Sequence, residues 1–167
     1  MSVARYVFLA GFAVILAGLV AFSVVAVGRA TRVSGLPAVL RQAITRLGRV
    51  RATPGEAGRL AFLAHRIGGV AVFGFLALHI VDVGLYAISP DLYDDVHGLF
   101  GTWPMRVFEC GLLFAILFHT LNGLRLIVLD LTDAGPRVAS GLLRVTGVAT
   151  LVLGVAGSIV IMAPVFT

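Results

Sequence analysis

Lysine is absent from this chain, cysteine occurs once, and charge is sparse: all 13 basic residues among 167 are arginine, and charged residues are 13% of the whole. The lone Cys110, set within an apolar run, excludes an intrachain disulfide and any zinc or iron–sulfur site built on this chain's own thiolates. No internal repeat, low-complexity tract or phosphate-binding glycine loop is present. The net charge of +5 would suit nucleic acid if the arginines formed a patch, but they lie beside long apolar runs, so no nucleic-acid partner is expected. A chain 59% hydrophobic with so few charges belongs in a lipid bilayer.

Four segments are long and apolar enough to cross a hydrocarbon core of about 30 Å. They run from Tyr6 to Gly28, Ile67 to Ile88, Met105 to Leu129 and Leu142 to Pro164. Eight arginines (Arg29, Arg32, Arg41, Arg46, Arg49, Arg51, Arg59 and Arg66) fill the first connection, which places it in the cytoplasm by the positive-inside rule. The next connection, SPDLYDDVHGLFGTWP, carries three aspartates and no arginine, and its Tyr93 and Trp103 suit an interfacial belt, so it faces outward. Arg125, Arg137 and Arg144 surround the following turn on the inside. The expected fold is an all-α transmembrane bundle of four spans with both termini outside. One arginine ahead of the first apolar run and a cluster behind it favour an uncleaved anchor over a signal peptide.

The cytoplasmic segment has a pattern of its own. Leu36, Val39, Leu40, Ala43, Ile44 and Leu47 recur at helical spacing while Arg41, Gln42, Thr45, Arg46 and Arg49 take other faces, which predicts an amphipathic helix on the membrane surface or under a partner. In TPGE, Thr53 suits an N-cap, Pro54 the first helical position and Glu56 a capping box, so the next helix is predicted to start near Pro54. The organisation read from this is an anchor over 1–28, an arginine-rich segment over 29–62 and a three-span unit over 63–167.

Ionisable residues inside a span are costly and therefore mark sites: here His79, Asp82, His119 and Arg125. At about 1.5 Å per residue, His119 lies roughly 16 Å from Asp130 at the cytoplasmic edge, close to mid-membrane, and His79 roughly 21 Å from His65, nearer the outer face. A neutral imidazole at that depth either packs with both nitrogens satisfied or ligates a haem iron. Gly123, four residues on from His119 and on the same face, would let a flat macrocycle approach, and Asn122 faces that way too. Arg125, about 240° around the wheel from His119, can snorkel to the interface, where a haem propionate, an anionic lipid or Asp130 would pair with it. His65 and Arg66, followed by Gly68 and Gly69, are either a topology signal or donors to a quinone headgroup. His79 and Asp82 form a polar pair or proton path, or else His79 ligates a second haem. His97 reads as a solvated loop residue, and Gly147, Gly154 and Ser158 as a small-residue contact surface.

The chain resembles the cytochrome b membrane-anchor subunit of succinate dehydrogenase, respiratory complex II. That family carries H-R-x-[ST]-G on one span and H-x-x-x-G-x-R-H-x-x-x-D on the next. The counterparts here are His65-Arg66-Ile67-Gly68-Gly69 and the run from His119 through Gly123 and Arg125 to Asp130, in the same order and spacing. The resemblance covers about Leu63 to Arg137. It implies that His119 is an axial ligand of haem b, with the opposite ligand from a sister membrane-anchor subunit, and that His65, Arg66, Gly69, Gly123, Arg125 and Asp130 surround the haem propionates and the quinone. It further implies a flavoprotein subunit holding FAD and an iron–sulfur subunit holding the clusters, both docked on the cytoplasmic face of a bacterial-type plasma membrane. Those partners would carry out the succinate chemistry. Some relatives hold two haems, which is the case for His79 as second ligand. Three departures stand out: Phe62 where the family often has serine, Leu126 in place of the motif's second histidine, and a span before Arg29 where the family has three in all. A fumarate reductase anchor has the same architecture. A non-redox membrane scaffold is the reading from another class, while four spans without inverted repeats disfavour a transporter.

Overall fold

A computed structural model describes residues 2–34, 54–132 and 134–166. The amphipathic helix expected over 36–49 and the Thr53 cap lie outside these residues. Within them the chain is helical nearly throughout: α1 (Val3–Ser34), α2 (Pro54–Ile88), the short α3 (Pro90–His97), a 3-10 turn (Gly98–Gly101), α4 (Trp103–Thr132) and α5 (Pro136–Phe166). Four of these helices are long and apolar enough to cross a membrane, and at most 11% of each apolar window is buried within the chain. Their outer surfaces are therefore left to lipid or to other chains. Helices are the expected solution because lipid offers backbone groups no hydrogen-bond partner.

Proline sets three of the helix starts. Pro54 opens α2, as the sequence predicts, and Pro136 opens α5, where a missing N–H costs nothing. Pro90 opens α3 behind Ser89, an extended residue whose hydroxyl accepts from the Leu92 amide at 3.4 Å. The 89–102 connection is thus structured, with a helix and a 3-10 turn where the sequence predicts a loop. With 35 residues, α2 is about 52 Å long, well beyond the hydrocarbon thickness.

The N-terminus of α1 lies at the same end of the bundle as α3. Arg5 forms an ion pair with the Asp95 carboxylate at 3.0 Å and donates to its backbone carbonyl at 2.7 Å, and Ser2 also meets that carboxylate. Beneath these contacts Phe8, Leu78, Val96 and Met105 form a buried cluster, flanked by an edge-on Phe8–Phe100 pair with centroids 5.8 Å apart. The helix order therefore alternates direction, as four successive spans require.

Glycine decides how closely the helices approach. On α5, Gly154 faces the ring of Phe114 on α4 so tightly that a Cβ would overlap it, and a Cβ on Gly157 would come within 2.5 Å of Leu113. Gly154, expected on a surface offered to a partner, is instead spent inside this chain, and the Ser158 hydroxyl beside it is buried; Gly147 has open space around it. Replacing Gly154 with valine should destabilise the detergent-solubilised chain by about 1–3 kcal/mol, while Gly147→Val should be nearly neutral. Equal melting temperatures for the two variants would contradict this packing.

Candidate functional site

The two motifs meet where α2 crosses α4. The imidazoles of His65 and His119 stack face to face, with centroids 4.0 Å apart and planes 5° from parallel. The contact is reciprocal. His119 rests on Gly69, where a Cβ would come within 2.8 Å of Cε1, and His65 rests on Gly123, where a Cβ would stand 3.6 Å from its Cε1. Gly68 adds a third close approach, where a Cβ would stand 3.4 Å from the Ala115 carbonyl oxygen. The H-R-x-x-G spacing puts Gly69 four residues past His65, and the H-x-x-x-G spacing puts Gly123 four residues past His119. Each helix thus offers a ring and, one turn later on the same face, a gap for the other's ring. In this structure the face of Gly123 is covered by His65.

The hydrogen bond at this crossing determines the chemistry. His119 Nδ1 lies 3.0 Å from the His65 carbonyl oxygen. A carbonyl only accepts, so Nδ1 carries the hydrogen, and in the neutral ring Nε2 keeps the lone pair. His65 Nδ1 is buried with no partner, an orphaned polar atom beside the stacked pair.

The remaining sequence-predicted residues are dispersed. Arg66 is exposed, with its guanidinium 5.5 Å from the Phe62 ring centroid one turn earlier. Arg125 turns toward α5: Nε and Nη2 donate to the Ala139 carbonyl at 3.3 and 3.2 Å, and Nη1 to Asn122 Oδ1 at 3.3 Å. Asn122 is 1% exposed and serves Arg125, while Asp130 is exposed farther along α4. His79 presents its ring outward, stacked on Phe75 at 5.6 Å. Asp82 pairs with His97 of α3 at 3.0 Å, so the polar pair of Asp82 is not with His79, and His97 is more than a solvated loop residue. Sequence reasoning also passed over Arg106, whose Nη1 donates to the Ile161 carbonyl at 2.7 Å. Its signal was an arginine three residues past Trp103, at the start of an apolar run.

A four-span helical bundle whose second and third spans are joined by paired histidines and glycines belongs to the class of multi-pass helical membrane proteins. Residues 41–161, more than half of the chain, match the succinate dehydrogenase/fumarate reductase transmembrane subunit family, and the chain belongs to that family. It is 36% identical over 107 residues to the succinate dehydrogenase 2 membrane subunit SdhC of Mycobacterium tuberculosis, across 64% of this chain and 79% of that one. It is 34% identical over 82 residues to the succinate dehydrogenase hydrophobic membrane anchor subunit of Halobacterium salinarum, across 48% of this chain and 63% of that one. The chain is accordingly a multi-pass membrane-anchor subunit of a succinate dehydrogenase/fumarate reductase-like complex.

Gly69→Val should push the His119 ring away and break its bond to the His65 carbonyl. In nitrogen NMR of histidine-labelled chain, the protonated Nδ1 signal of His119 should then disappear. Gly84→Val, on the same helix with open space around it, should leave that signal in place. Survival of the signal in Gly69→Val would contradict the close approach.

Proposed function

We propose that this chain anchors a succinate:quinone oxidoreductase, supplies His119 as one axial ligand of haem b, and contributes His65 and Arg66 to the quinone site. The observation that carries this reading is the bond from His119 Nδ1 to the His65 carbonyl, which makes Nε2 the donor nitrogen. Such support of the non-ligating nitrogen is how proteins orient a histidine ligand. The donor set fits the group. Among the described residues no three His, Cys, Asp or Glu side chains converge to chelate a bare ion. A haem iron already has four ring nitrogens, and it asks of each flanking chain a single imidazole. The orphaned His65 Nδ1 also suits a polar-edged group beside this crossing. When bound, a bis-histidine haem supplies reversible one-electron transfer.

The chain's own residues then have separate tasks. His65 holds His119 in one tautomer through its carbonyl and covers one face of the ligand ring. Arg125 spends three of its five N–H donors on Ala139 and Asn122 and keeps two for a propionate, with Asp130 at the same end of α4. Arg66, held over Phe62, offers a cation to a quinone carbonyl. The stretch 63–167 forms the haem and quinone unit, 29–62 the cytoplasmic arginine-rich segment, and 1–28 an added span. The family match starts at residue 41, after α1, which supports reading 1–28 as the added span. The opposite haem ligand comes from a sister membrane-anchor subunit. FAD and the iron–sulfur clusters reside in flavoprotein and iron–sulfur subunits on the cytoplasmic side of a bacterial-type plasma membrane. The outward ring of His79 favours a second haem, or a partner helix, as its companion.

A fumarate reductase anchor is the second reading, since the family description spans both and the direction is set by the partners and the quinone. A non-redox scaffold predicts no chromophore. His119→Ala should abolish the haem absorbance while the chain still inserts; an unchanged spectrum would remove the ligand assignment. Arg66→Leu should lower quinone reduction by roughly tenfold, the value of one charge-assisted hydrogen bond, and leave succinate oxidation by a soluble dye nearly intact. Equal loss in both assays would point to failed assembly instead.

A further inference from the structure

A second polar centre lies at the other end of α2, about 25 Å along the helix from His65. Asp82 is 1% exposed, six residues and so about 9 Å short of the end of the helix. Its Oδ2 meets His97 Nδ1 at 3.0 Å, and its Oδ1 is buried with no partner. The His97 side chain is 51% exposed. One oxygen of a buried carboxyl group is therefore connected to the surface through an imidazole, and the other points into the protein unpaired.

The surroundings keep that imidazole in place. His97 ends α3 and stacks on Tyr93 with centroids 4.7 Å apart, and the Phe100 ring lies tilted beside it at 5.5 Å. The charged groups around the pair come from every neighbouring element. Glu109 of α4 lies within electrostatic reach of both His97 and Arg106, Arg106 is tied to the Ile161 carbonyl of α5, and Arg5 of α1 holds Asp95 of α3. The Asp94 and Asp91 side chains are exposed on α3. His97 is thus the group that meets both Asp82 and the surface.

The geometry points to a proton-exchange site, with Asp82 as the buried proton acceptor and His97 as its relay to the aqueous phase. A hydronium ion gives its proton to His97 Nε2, and the Nδ1 hydrogen passes to Asp82 Oδ2. The net change of this forward step is one proton moved from water to Asp82, with no electron transferred, and the same two transfers in reverse return a proton to water. Asp82 is the carboxyl group this path reaches, because its Oδ2 is the atom that meets the imidazole.

This centre goes beyond the haem and quinone reading, and its test involves neither group. In the full chain reconstituted in bilayers, infrared spectroscopy should detect the C=O stretch of a protonated buried carboxyl group, assigned to Asp82 by its loss in Asp82→Asn. Carbon-13 aspartate labelling makes the assignment if that variant fails to accumulate. On rapid mixing with heavy water, the band should shift at least about tenfold more slowly in His97→Gln than in the unaltered chain. Glutamine keeps an N–H donor for Asp82 Oδ2, so a merely structural latch would survive that change; it cannot relay a proton. Equal exchange rates, or no protonated aspartate band at any pH at which the chain stays folded, would overturn the proposal.

Discussion

The crossing of α2 and α4 depends on two helices being allowed to touch where each carries a large ring. In lipid the hydrophobic effect does little to press helices together, so close packing and buried hydrogen bonds must hold them. Gly68, Gly69 and Gly123 remove the side chains that would keep the backbones apart, and His65 and His119 fill the two gaps reciprocally. The carbonyl that orients His119 belongs to His65 itself, so ring stacking, helix contact and choice of tautomer are one arrangement.

Elsewhere the bundle is joined by polar contacts that each link different helices. Arg125 ties α4 to the Ala139 carbonyl near the start of α5, and Arg106 ties the opposite end of α4 to Ile161 near the end of α5. Arg5 fastens α1 to α3, and His97 fastens α3 to α2. A charged group left alone in hydrocarbon would be costly, so these pairings specify which helices are neighbours. The α4–α5 contact adds the packing of Gly154 and Gly157 against Phe114 and Leu113.

The family assignment rests on the stretch from residue 41 to 161, and α1 lies before it. The way α1 is held is correspondingly distinct: an ion pair at its N-terminal end and a small apolar cluster around Phe8, with Ile15 packed farther along so close to Gly74 of α2 that a Cβ there would come within 2.7 Å of it. The ion pair and the cluster fasten its N-terminal end where α3 lies.

The class of fold, the four spans and the start of α2 at Pro54 were all determined by the sequence, which also singled out His65, His119 and their glycines. Hydropathy, proline position and residue spacing act along the chain and need no knowledge of neighbours. Spacing also placed each glycine one turn from its histidine, although it could not say that the gap of one helix would hold the ring of the other. Only the tertiary structure decided which partners the isolated polar residues take. Asp82 reads with His79 along one helix, yet a surface helix folds back and supplies His97; Gly154 reads as a face for another chain, yet Phe114 occupies it. Such choices depend on the rotation of each helix about its axis and on how the 89–102 connection folds over the bundle end, which are set by packing between segments distant in sequence.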